Sequence, residues 1–174
     1  MLINVNELTD MPEFSGVSES VLKLQLEAIE ILIRAYTNNN FQNRAVRFEA
    51  ASLESGLLGK SIYLKIGDTV QITESINDGL YTVTQIQDSV TVVDKPLFAT
   101  VHNLVTKVEY PAAVVQGALN MLKWDVANRD KVGVKSESIS RHSVTYYDMD
   151  SNNQINGYPV SLMGFLKPYM KARF

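Results

Sequence analysis

The residues able to do chemistry are few and scattered. Two histidines, His102 and His142, lie far apart in the chain, and neither sits in a recognisable acid–base motif with an acid or hydroxyl partner. They read as polar strand-face or surface side chains. The chain has no cysteine, which removes disulfides, thiolate nucleophiles and thiolate metal sites. Asp148, Asp150 and Asn152 alternate as the first ligands of a calcium loop do. Such a loop also needs Gly at its sixth place and a bidentate Glu at its twelfth, and here those places hold Asn153 and Pro159. The stretch from Asp148 to Gly157 therefore reads as a mobile polar loop. Gly59-Lys60-Ser61 ends like a phosphate loop, but Gly56 stands too close before it for a backbone cradle. No catalytic, cofactor-binding or metal-binding set is expected.

One cluster is left. Lys167, Lys171 and Arg173 alternate with Tyr169 and Phe174 at the end of the chain. Cations and aromatic rings together suit stacking on nucleic acid or anchoring in the groove of a protein partner. A capped helix with a frayed end is the third reading, and residue types alone leave all three open. A net charge of −3 gives the whole chain no general pull towards nucleic acid.

The elements that position these residues follow from periodicity. Ser15-Gly16-Val17-Ser18 signals a helix start, with Glu19 suited to the positive end of the dipole. From Val21 to Tyr36 apolar residues recur at helical spacing, densely enough to suggest burial on more than one side. Thr37-Asn38-Asn39-Asn40 should stop the helix, because Asn side chains compete for backbone bonds. The period then shortens. Runs 44–50, 61–66, 69–74, 80–86, 89–93 and 103–108 are rich in Val, Ile, Thr and Tyr, and Gly, Asn, Asp and Pro punctuate them. Short strands at this spacing predict a small antiparallel barrel or sandwich, with Asp78-Gly79 as a hairpin turn. Helix returns after Pro111, with Val115, Leu119, Leu122, Trp124 and Val126 as core candidates. A strand is expected at 143–147 and a short helix at 160–166, ended by Pro168.

The predicted fold is α+β: a small helical bundle with a long N-terminal helix, a second long helix and a short C-terminal one. An antiparallel β module, residues 41–108, is inserted between the first two, and residues 1–40 and 109–174 form the helical core with its tail. The start of the chain carries Glu7 and Asp10 where a signal peptide would be cationic. Charges break the longest apolar stretch, so no membrane span is expected.

Several short motifs in the C-terminal third carry a resemblance. Lys135-Ser136-Glu137-Ser138-Ile139, then Ser143-Val144-Thr145-Tyr146, then Tyr158-Pro159 and Leu166-Lys167-Pro168-Tyr169 with the basic tail, follow one another in this order. The order resembles the ending of tailed-bacteriophage head–tail connector proteins, also called head-completion or adaptor proteins. The two long helices fall where that family has its core helices, and the middle is similar to the β insertion of its larger members. The resemblance implies a non-enzymatic virion subunit in the neck of the particle, assembled in the host cytoplasm. Copies of the chain, typically twelve, would form a ring below the portal protein and extend the DNA channel, and the ring would dock a stopper or tail-completion protein. It implies that Tyr169, Lys171, Arg173 and Phe174 contact the portal. Asp148, Asp150, Asn152 and Asn153 would line the lumen or face the tail. DNA would pass without specific binding, and no cofactor would be needed. The alternative is a nucleic-acid- or glycan-binding module built on the small barrel, although its strands lack a basic and aromatic cluster on one face.

Overall fold

Val70 and Ile72 alternate along one short run, and alternation sends both to the same side of a strand. In the computed structural model both are fully buried. The structure describes residues 2–59, 61–87, 89–128, 136–139, 142–145 and 153–172, with backbone alone for 136–139 and 142–145. The chain divides into two compact units: Met1–Asn4 with Asn40–Tyr110, and Val5–Asn39 with Pro111–Phe174.

The first unit is one antiparallel sheet. Its strands are β1 (Gln42–Glu49), β2 (Ser52–Leu53), β3 (Gly56–Leu58), β4 (Thr69–Thr73), β5 (Gly79–Ile86), β6 (Val90–Val93) and β7 (Leu104–Val108). They pair in the order β1-β7-β4-β5-β6-β3-β2. The register slips between Asn43 and Arg47 in β1 and between Val83 and Gln85 in β5. Such bulges bend a strand and increase its twist. Leu57, Val70, Ile72, Tyr81, Val83 and Val105 fill the apolar core. Truncating a side chain as enclosed as Ile72 to Ala costs about 2–5 kcal/mol.

This sheet corrects the expected architecture. The strands build a large seven-stranded sheet instead of a small barrel or sandwich inserted into a helical bundle. Of the four α-helices among the described residues, two are only five and four residues long. Turn signals mark where strands break but carry no information on which strands pair. The last run of the segment, β7, sits between β1 and β4, far from both in sequence. Strand β3 escaped notice because Gly56-Leu57-Leu58 has neither alternation nor β-branched residues. A Cβ at Gly56 would lie 2.6 Å from the Thr91 carbonyl oxygen, so only glycine lets β3 approach β6 there. Residues 61–66, expected as a strand, are a turn. The Ser61 hydroxyl accepts from the Tyr63 amide and the Asp68 carboxylate from the Lys65 amide, an alternative to ladder bonds. The β4–β5 turn also differs from expectation. Its positive φ falls on Glu74 (62°) rather than Gly79, and Asp78 serves by accepting from the Ser75 amide.

The second unit holds α1 (Val5–Thr9), α2 (Glu19–Thr37), α3 (Ala112–Asn128) and α4 (Val160–Met163), with a 3-10 turn Gly164–Tyr169 after α4. Two hairpins accompany them: β8 (Ser136–Ile139) with β9 (His142–Thr145), and β10 (Gln154–Ile155) with β11 (Tyr158–Pro159). Helix α2 buries Leu22, Leu26, Ile29 and Ile33 and ends at Asn38, whose left-handed φ of 50° suits a short amide side chain. Ser18 stands at its N-cap, but the hydroxyl makes no capping bond. In α3 the buried face is Val114, Gly117, Ala118, Met121, Leu122 and Asp125, so only Leu122 of the expected core set is fully enclosed. Two residues outside any apolar pattern set this rotation. Gly117 lies so close under the Phe165 ring that a Cβ would meet it at 2.3 Å. Asp125 accepts a hydrogen bond from the Tyr158 hydroxyl at 2.5 Å.

Candidate functional site

The end of α2 leaves carbonyl groups without a helical partner, as every helix does. The C-terminal segment supplies one of the missing donors. The Lys171 amide donates to the Thr37 carbonyl at 2.8 Å. In return the Asn38 side-chain amide donates to the Ala172 carbonyl at 2.8 Å, and that of Asn39 to the Tyr169 carbonyl at 3.1 Å. Thr37 turns its own hydroxyl back to the Ile33 carbonyl, 2.7 Å away. The run Asn38-Asn39, legible as a helix stop, thus also clamps the tail.

Tyr169 is half-buried beside this clamp, whereas Lys167, Pro168, Met170, Lys171 and Ala172 are exposed. The structure brings the described part of the expected docking residues, Tyr169 and Lys171, onto the α2 terminus. Arg173 and Phe174 lie outside the described residues, as do Asp148, Asp150 and Asn152. Asn153 is described: it is exposed, in a turn before β10, and its carbonyl accepts from the Val160 amide.

His102 is half-exposed, with Nδ1 3.8 Å from Glu49 and Nε2 3.6 Å from Glu74. His142 falls in β9. Among the described residues no group of three acids or histidines could hold a metal ion, and no helix is long and apolar enough to cross a membrane.

A groove of about 390 Å³ opens on the sheet unit, lined by Val46, Arg47, Phe48, Leu58, Ile62 and Tyr63 among others. The Arg47 guanidinium is held at its rim by Thr106 and Gln42, whose side-chain oxygens accept from it. Elsewhere in that unit a buried polar knot escaped the sequence reading. Asn103 donates to the Ala50 carbonyl and the Ser52 hydroxyl while accepting from Ser75 and Asn77. Asn77 in turn clasps Phe98, accepting from its amide and donating to its carbonyl. The knot presents the 64%-exposed Phe98 side chain on a fixed backbone. Isolated Asn residues in turn-like sequence carry no signal that tells a buried network from a surface loop.

A scan against protein-family models matches none, and a search of curated proteins likewise finds no match.

Proposed function

We propose that the chain is a head–tail connector subunit of a tailed bacteriophage, one member of a ring that sits below the portal and receives the stopper or tail. The reading rests on the order of the C-terminal motifs. The observation that carries it furthest is the clamp at the end of α2, which holds the backbone of Tyr169, Lys171 and Ala172 in place. A tail anchored at one end gives up less freedom on docking than one loose along its whole length. Net negative charge suits the same role, since every phosphate contact in a channel would add salt-dependent grip and slow the passage of DNA. Twelve copies, the portal and the stopper as partners, and the neck of the virion as location are parts of this proposal.

The test is binding to the isolated portal, read by co-sedimentation of the assembled complex. Removing residues 168–174 should abolish it, with the helix content and melting temperature of the truncated chain serving as the folding control. Unchanged binding after truncation would refute the tail's role.

A second reading has a specific support in the groove beside Phe48 and Tyr63. Two aromatic rings and a cation could stack a base or a sugar. Gel shift of a short oligonucleotide, or chemical-shift changes on adding oligosaccharides, lost on Tyr63→Ala, would favour a binding module over a connector.

A further inference from the structure

Just beyond β1, Ser52 exchanges both backbone bonds with Thr100, and the Ala50 amide donates to the Asn103 carbonyl. Between them the Ala51 carbonyl points the other way and accepts from the Leu58 amide, where β3 runs alongside. Backbone groups alternate sides along a strand in an antiparallel sheet. The same alternation turns the N–H and C=O groups of Arg47 and Glu49 to the side on which Ala51 meets β3. Strand β3 does not reach that far. Past Leu58 the Gly59 amide donates to the Ser89 carbonyl, and residues 61–66 turn away. Among the described strands β1 pairs only with β7. The ladder that β3 begins is thus left unfinished beside Arg47 and Glu49.

The groove of about 390 Å³ lies at this gap, lined by Arg47, Phe48, Glu49, Leu58, Ile62 and Tyr63 among others. A base or a sugar could stack there, but neither completes a ladder. We propose that the groove takes an extended peptide, added as a strand to the open edge of β1.

The walls define the chemistry of that peptide. Val46 and Phe48 pack on the apolar core of the sheet, and Ile62, 80% exposed, extends an apolar surface beside them. Side chains of the added strand on that face are therefore apolar. Arg47 lies on the other face of β1, and its bonds among the described residues go to the neutral oxygens of Thr106 and Gln42. A carboxylate opposite Arg47 supplies the missing charge. Glu49, two residues on and on the same face, confines the negative charge to that one position. The occupant alternates apolar and polar residues around a single acid.

The register slip between Asn43 and Arg47 ends the open stretch. A short edge closed by a bulge takes one segment and resists growth into a longer sheet. This contact is independent of the connector role, and it fills the groove with a peptide rather than a base or sugar.

The test is selection of an mRNA-displayed random peptide library on the immobilised full chain, followed by hydrogen exchange of the chain with the selected peptides. Enriched peptides should alternate apolar and polar residues around one carboxylate. They should slow exchange of the Arg47 and Glu49 amides about tenfold or more. Methylating the peptide's backbone nitrogens leaves the protein untouched. It should weaken binding about tenfold at every second position and little at those between. Arg47→Gln should weaken binding severalfold, with melting temperature as the folding control. The idea fails if nothing is enriched over the bare support, if methylation is tolerated at every position, or if the two amides stay unprotected. Unchanged affinity in Arg47→Gln would refute the paired carboxylate. A groove that binds a short oligonucleotide or an oligosaccharide, and none of the peptides, would also overturn it.

Discussion

The Asn39 side-chain amide and the Tyr169 carbonyl, 3.1 Å apart, fasten the end of the chain to the end of α2. Asn38 adds a second bond, to Ala172. Asn38→Gly keeps the left-handed backbone but deletes that amide, and Asn39→Ala deletes the other. The double variant should expose the Lys171 peptide bond to trypsin severalfold faster, while α2 stays folded. Equal cleavage rates would mean that the two side chains do not hold the tail.

Tyr158 fixes α3 in a comparable way. Its hydroxyl reaches the buried Asp125 carboxylate, and its ring lies tilted against Trp124 with centroids 5.6 Å apart. Tyr158→Phe retains the ring and removes one donor from a buried charge, so a loss of about 1–3 kcal/mol is expected from urea denaturation. A smaller loss would show the carboxylate well served by its other neighbours.

The sheet unit depends on Asn103, which is fully buried with both ends of its amide engaged. Asn103→Ala would take partners from the Ala50 carbonyl and the Ser75 hydroxyl as well as open a cavity. A cost of about 3 kcal/mol or more is expected. Asn103→Asp, nearly the same in shape, should also destabilise, because the lost group is a donor. If the aspartate variant melts at the wild-type temperature, shape rather than hydrogen bonding explains the site.

Lys107 predicts the response to alkali. Burial pulls its pKa down, but hydrogen bonds to Asp68 and Glu109 at 2.9 and 3.3 Å outweigh this, and the net shift is upward. A raised folded pKa means that the ammonium stabilises the fold fully below the ordinary lysine range. That contribution then fades as pH rises through the folded value. Melting temperature should therefore fall above about pH 10.4, and the fall should be shallower in Lys107→Met. An identical alkaline slope in both proteins would remove Lys107 from the account.

Much of the local structure was legible, and the reasons are local. Asn38-Asn39-Asn40 ended α2 as expected because short amides take the left-handed cap. Thr69–Thr73 and Leu104–Val108 showed themselves as strands by β-branched residues in alternation. What escaped was long-range. Nothing near Leu104 tells it to lie between β1 and β4, so the strand signals alone point to a small inserted barrel rather than the seven-stranded sheet. The burial of Asp125 and Gly117 depends on Tyr158 and Phe165, residues from elsewhere in the chain. The tail's basic and aromatic character could be read directly, but its attachment to Asn38 and Asn39 could not, because a helix stop and a clamp use the same residues.

The central claim is that the chain is built to fit against virion parts. Labelling it in purified phage particles with an antibody Fab, and imaging by cryo-electron microscopy, tests this directly. The account predicts density confined to the neck, in several copies around the channel axis. Particles that carry no label, or carry it on the capsid wall or tail tip, would contradict it.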